Sequence, residues 1–235
     1  MVQVRTYTIP PTKLMPNSPH LLIHYPKLLL SEVSAKDFNP TTIYDLFASN
    51  GWQSQWIARY GRTQLSHYHS AAHECMAVIS GNGATLRFGV ADTTSDEEEH
   101  THGHGYEDGA IEVQASLGDV FILPAGVAHK TYAPRPDAET LKFHESKEDD
   151  GTLIKDTRKA RKFFEGIAIE GEFMMMGAYP VGNEWDFRVG GDHEGRYREV
   201  WRVPKPKRDP VLGQSKDGLV GIWKESPNTN SSSKL

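Results

Sequence analysis

The 235-residue chain has one cysteine, Cys75, which excludes an internal disulfide framework and fits a reducing compartment. It also lacks a long apolar run. The most apolar stretch, "LLIHYPKLLL", is broken by His24, Pro26 and Lys27 and is too short to span a bilayer. No continuous apolar segment of the secretory type stands at the N-terminus, "MVQVRTYTIPPTKLMPNSPH". An excess of positive charge is missing too: 26 Lys and Arg face 31 Asp and Glu, a formal charge of −5. Nothing in that balance favours a polyanion, so no nucleic acid is expected as partner, and no membrane. There is no internal repeat. The expectation is a soluble, intracellular protein acting on something small.

What the chain does contain is ordinary globular composition, 37% apolar and 24% charged residues, at a length that buries a real core in one domain. "NPTTIYDLFASNGW" reads as a helix capped by Asn39, with Pro40 in its first turn and Gly51 at its end. From Trp52 the texture changes to short β-branched and aromatic segments punctuated by Gly and Pro: "QSQWIARYG", "ECMAVISG", "GATLRFGV", "IEVQAS" and "GDVFILPAG". Several short strands with turn signals at close spacing predict a sandwich or barrel. "DTRKARKFFEG" predicts a second, basic helix from Asp156 to Gly166, and "AIEGEFMMMGAYP" returns to strand character, its Met run as core filling. The Pro-rich "VPKPKRDPVLG" reads as an extended wrap around the core.

The expected organisation is an N-terminal extension over residues 1–57, a barrel over 58–223, and a flexible tail over 224–235. An acidic, aperiodic loop at 91–109 interrupts the barrel. It carries "EEEHTHGHG", in which His100, His102 and His104 alternate; weak nickel or copper binding is one reading, and a solvated loop is the one the acidic, Gly-containing context favours. The last three residues, Ser233, Lys234 and Leu235, match the tripeptide read by the peroxisomal import receptor, which predicts a peroxisomal address.

The chemistry concentrates in "HYHSAAHECMAVISG", residues 67–81. Side chains alternate on a strand, so His67 and His69 point the same way. After a turn through "SAA", a new strand begins near Glu74, where Glu74, Met76 and Val78 share one face and Cys75, Ala77 and Ile79 the other. With Met76 and Val78 inward, Glu74 is inward too. His73 falls at the turn or on the outward parity, and Cys75 reads as a small buried hydrophobe. A later His129, after "GDVFILPAGVA", completes a set of three imidazoles and one carboxylate. That set suits one divalent transition metal, iron, nickel, manganese, zinc or copper, and four protein ligands leave two positions of an octahedron for substrate or dioxygen.

These residues resemble the two motifs of the cupin family. Gly61, His67, His69, Glu74 and Gly81 stand in the register of the first, and Gly118, Pro124, Gly126 and His129 in that of the second. The family's usual Asn four residues after the last His is Ala133 here, and that Asn is not a ligand. "NSPHLLIHYP", "FASNGWQSQW", "HYHSAAHE", "LPAGVAHK" and "GAYPVGNEWDFRVGG" resemble the YjlB-type single-domain cupins of bacteria and fungi, over residues 16–223. The resemblance implies an all-β double-stranded β-helix (cupin jelly roll) with a few short helices and a metal at its mouth, and by analogy a homodimer.

Two classes of function follow. One is a metal-dependent enzyme on a small organic molecule, either a dioxygenase-like oxidoreductase or a Lewis-acid isomerase or decarboxylase. The other is a non-catalytic metal-dependent binder of a small ligand. With Glu74 as a ligand the general base must come from elsewhere, and His73 and Tyr179 are the candidates. Tyr179 and Trp185 either line the pocket or only pack.

Overall fold

The computed structural model describes residues 2–169 and 171–223. The signal tripeptide Ser233-Lys234-Leu235 lies outside them. In chain order the elements are β1 (Arg5–Tyr7), β2 (Leu22–Tyr25), α1 (Leu30–Val33), α2 (Thr41–Ser49), β3 (Trp52–Arg59), β4 (Glu74–Ser80), β5 (Gly83–Phe88), α3 (Glu97–His102), β6 (Ile111–Ala115), β7 (Val120–Leu123), β8 (His129–Arg135), β9 (Lys142–Glu145), α4 (Thr157–Glu165), β10 (Met174–Pro180), α5 (Tyr197–Val200) and α6 (Leu219–Ile222). No helix among the described residues is long and apolar enough to cross a membrane.

The strands form two antiparallel sheets, ordered β1-β2-β7-β4-β10-β3-β9 and β6-β5-β8. This is the all-β architecture that the strand pattern predicts, in the jelly-roll form that the resemblance implies. The parity of β4 explains how the layers assemble. Met76 and Val78 face the second sheet and pack with Leu86, Phe88, Phe121 and Met175. Cys75, Ala77 and Ile79 face away and pack under α2 and α4, against Ile43, Phe47, Ala160 and Phe164. The large sheet is therefore apolar on both faces, and β4 is buried along its whole length. Met174 and Met176 fill one core and Met175 the other.

Local signals set both long helices. Asn39 Oδ1 accepts from Thr41 N–H at 3.0 Å, with Pro40 already helical at φ −52° and Gly51 beyond the end at φ +79°. Asp156 caps α4 by accepting from Lys159 N–H at 2.8 Å. Gly81, at φ +85°, turns β4 into β5; a Cβ there would stand 2.6 Å from Phe173 Cα, so no other residue fits.

Residues 1–57, expected as an extension packing on the barrel, carry β1, β2 and most of β3 of the large sheet: β2 pairs with β1 and β7, and β3 with β10 and β9. The acidic segment 91–109 is not a solvated loop throughout. Asp96 caps α3 by accepting from Glu98 and Glu99 N–H, and His100 and Thr101 on that helix are fully buried. Arg87, on the outer face of β5, holds it there by donating to His100 O at 3.0 Å and Thr101 O at 3.1 Å.

Candidate metal centre

His67 and His129 are held opposite each other by a reciprocal pair of backbone hydrogen bonds, 3.1 Å from His67 N–H to His129 O and 2.8 Å back. His69 lies one alternation along from His67, so its ring enters the same space. The three imidazoles offer ligand nitrogens all within 4.8 Å of one another. Glu74, first residue of β4, brings Oε1 to 3.1 Å from His69 Nε2 and Oε2 to 3.2 Å from His129 Nε2. All four side chains are buried.

Backbone carbonyls decide which nitrogens face inward. His67 Nδ1 meets Leu65 O at 3.0 Å, His129 Nδ1 meets Val127 O at 3.1 Å, and His69 Nδ1 meets Asp186 O. A carbonyl can only accept, so each Nδ1 carries the proton and each neutral ring turns a lone pair inward from Nε2. Three lone pairs and a carboxylate converge with nothing cationic of their own between them. Glu74 Oε2 is buried and makes no hydrogen bond among the described residues. This donor set fits a divalent transition metal, with the carbonyls acting as the orienting partners such ligands need.

The electrostatics follow from that crowding. Burial, and then the neighbouring His129 and His69, push the His67 imidazole well below its usual range. For His69 burial acts downward, but the Glu74 carboxylate and the Asp186 carbonyl outweigh it and raise the ring. Burial acts upward on Glu74, and His69 and His129 overcome it, holding the carboxyl well below its ordinary value. Metal entry therefore meets an ionised Glu74.

Tyr179, at the end of β10, donates its hydroxyl proton to Glu74 Oε1 and accepts from Trp56 Nε1 at 2.8 Å. Burial and the adjacent carboxylate raise the phenol well above 10, so it holds Glu74 rather than accepting a proton. His73, the other candidate base, does not reach the cavity. Opposite parity to Glu74 buries it behind the sheet, where Nδ1 accepts from Ala125 N–H at 3.0 Å and Nε2–H donates to Val203 O at 3.3 Å. Its ring packs against Trp223 at a centroid distance of 4.9 Å. Cys75 is buried on the helix side, and burial pushes its thiol up.

The four residues lie in the wall of a cavity of about 510 Å³, whose remaining lining includes Trp56, Tyr60, Phe143, Trp185 and Phe187. Phe187 stacks on His67 at 4.3 Å. Sequence reading missed Asp186, which holds His69 and also accepts from Ser70 N–H at 2.7 Å and the Ser70 hydroxyl at 2.6 Å. It sits in "NEWDFRV", where no local pattern marks a residue that acts through its carbonyl. His100, for which the sequence favours a solvated loop, is part of the same wall.

No family model matches the chain. A curated relative, the uncharacterised protein YjlB of Bacillus subtilis (strain 168), is 23% identical over 224 residues, covering 94% of this chain and 97% of its own. Among solved structures, RmlC from Streptococcus suis in complex with dTDP-D-xylose is similar at 10% identity and a TM-score of 0.30, covering 78% of this chain and 71% of its own. Acireductone dioxygenase from Bacillus anthracis, with a cadmium ion in its active centre, is similar at 13% identity and a TM-score of 0.30, covering 80% of this chain and 97% of its own.

Proposed function

We propose that the chain is a metal-dependent enzyme of the YjlB-type cupins, acting as a dioxygenase-like oxidoreductase on a small organic molecule with a flat, apolar body. The observation that carries this reading is the convergence of three inward-facing Nε2 lone pairs and the Glu74 carboxylate in the wall of an aromatic cavity. A cavity of about 510 Å³ is the size of a small-ligand site.

His67, His69, Glu74 and His129 would hold the ion, which when bound supplies Lewis acidity and, as iron, redox chemistry toward dioxygen. The chain's own residues do the rest. Trp56, Phe143 and Trp185 clamp a flat substrate and exclude water. The Leu65, Asp186 and Val127 carbonyls fix the three rings, and Tyr179 with Trp56 fixes Glu74. Oxygenation is favoured over isomerisation, which needs a proton acceptor beside the metal ligands, at the reacting carbon. Beside the ligands, Tyr179 is committed as a donor and His73 lies elsewhere.

Metal analysis of native protein, followed by oxygen-uptake assays over small acids, enols and phenols, tests the proposal. Oxygen consumption that requires both metal and one class of substrate is expected. No bound metal in protein purified without chelators, together with no activity after reconstitution, would sink it. Delivery to peroxisomes through Ser233, Lys234 and Leu235, and pairing of two chains, belong to the same proposal. A fluorescent fusion ending in Ser233-Lys234-Leu235 should mark peroxisomes and lose that pattern when Leu235 is deleted.

A further inference from the structure

The cavity wall carries, apart from the metal-site residues, two hydrogen-bond donors whose polarity is fixed by the protein. The first is His100. Lys130 is buried beside it, with Nζ 2.6 Å from Asp92 Oδ1, 2.9 Å from His100 Nδ1 and 3.1 Å from His100 O. An ammonium has only N–H groups and no lone pair, so His100 Nδ1 and His100 O must both accept from it. His100 Nδ1 is therefore the lone-pair nitrogen, and the proton of the ring sits on Nε2. Nε2 is buried and makes no hydrogen bond among the described residues.

The second donor is Gln64, also in the cavity wall. Its Oε1 accepts from Thr131 N–H at 2.6 Å. A backbone N–H cannot accept, so the amide oxygen is pinned at that end and the NH2 group is left for the other side. Gln64 makes no further hydrogen bond among the described residues. Lys130 and Thr131 are consecutive on β8, the strand that begins with His129. Both donors thus hang from neighbouring residues beside a metal-site histidine. A buried N–H with no acceptor is unfavourable and rare, yet Arg87 clamps α3 so that His100 stays where it is.

We propose that His100 Nε2–H and the Gln64 amide form a donor pair that receives a carboxylate or carbonyl oxygen of the substrate, away from the atoms that meet the metal site. This inference rests on the function proposed above and narrows its substrate to an aromatic or unsaturated acid or oxo compound. Such a molecule has chelating oxygens at one end and a separate acceptor oxygen on its body.

The test uses the zinc-loaded full chain and two matched probes, catechol and 3,4-dihydroxybenzoate, titrated by calorimetry. Wild-type protein is expected to bind the acid about tenfold or more tightly than catechol. His100→Asn keeps an oxygen for Lys130 and withdraws the Nε2 donor. Gln64→Glu keeps an oxygen for Thr131 N–H and turns the NH2 into a charged acceptor. Each should abolish the preference while zinc stoichiometry and catechol affinity stay as in wild type. Equal affinities in wild-type protein, no binding of the acid, or parallel loss of both probes in the variants would overturn the proposal. Long-range proton–nitrogen correlation spectra of histidine-labelled, metal-free protein should show His100 as the Nε2–H tautomer; an Nδ1–H tautomer or an imidazolium overturns it independently. Absence of zinc binding would refute the metal reading alone, because the tautomer is read without metal.

Discussion

Replacing Tyr179 by phenylalanine deletes one oxygen atom that serves two buried partners. The hydroxyl donates to Glu74 Oε1 and accepts from Trp56 Nε1 at 2.8 Å, and all three side chains are buried. Its removal leaves the indole N–H without an acceptor, at a cost of about 1–3 kcal/mol, and removes a hydrogen bond to an ionised carboxylate, a further ~1.5–3 kcal/mol. A net loss of roughly 3 kcal/mol in the metal-free protein corresponds to a fall in Tm of about 6–12 °C for a chain of this length. Metal affinity should weaken by roughly 10–100-fold, because Glu74 loses the partner that aims it. Differential scanning calorimetry reads the first effect and competition with a fluorescent zinc chelator the second. A double-mutant cycle with Trp56→Phe isolates the shared bond, since the second substitution removes an N–H that the first has already orphaned. A Tm within about 2 °C of wild type with unchanged zinc affinity would refute the view that this phenol organises the site.

Three further outcomes follow from the same geometry. Ala133 is exposed and sits at φ +48°, a left-handed conformation that Asn or Gly adopts more readily; Ala133→Gly should stabilise the protein by about 1 kcal/mol, seen as a Tm rise of about 2–4 °C, and a fall would contradict the assigned backbone. Burial pushes His73 down to about 4, so its contribution to stability is complete above the unfolded value near 6.5 and is lost as pH falls toward 4. The acid limb of metal-free wild-type protein should therefore be steeper than that of His73→Asn, by up to ~3 kcal/mol over that interval, in urea titrations at stepped pH; matching limbs would disprove it. A Cβ on Gly177 would stand 2.0 Å from Trp56 Cε2, so Gly177→Ala should displace the indole and destabilise by about 1–3 kcal/mol or more, measured by chemical denaturation; an unaffected midpoint would show that Trp56 is not fixed there.

The site was legible in the sequence to the extent that strand parity controls it. Alternation alone sets His67 beside His69 and Glu74 with Met76 and Val78, because period-two geometry leaves no other choice once one face is apolar. The helix boundaries at Asn39 and Asp156 were legible for a similar reason, since a cap is a contact over two or three residues. His100 was not. Its burial depends on Arg87 and Lys130, which arrive from the outer face of another sheet, while its own neighbours, Glu97 to Glu99 and Gly103, have the composition of a solvated loop. Asp186 escaped because its carbonyl rather than its side chain orients His69. The strands β1 and β2 were hidden by brevity and by Pro26 and Lys27, and only their pairing with β7 makes them part of the sheet. Ala133, where the resembling family has Asn, becomes intelligible only through its backbone angle.

The most direct test of the metal centre is elemental analysis of protein purified without chelators, on wild type and three variants in parallel. Wild-type protein should carry one divalent transition metal per chain. His67→Ala and Glu74→Ala should lose it, while His73→Ala, whose ring lies behind the sheet, should retain it. A metal-free wild-type protein that also fails to take up iron, nickel, manganese, zinc or copper on reconstitution, or loss of metal in His73→Ala alone, would contradict the assignment.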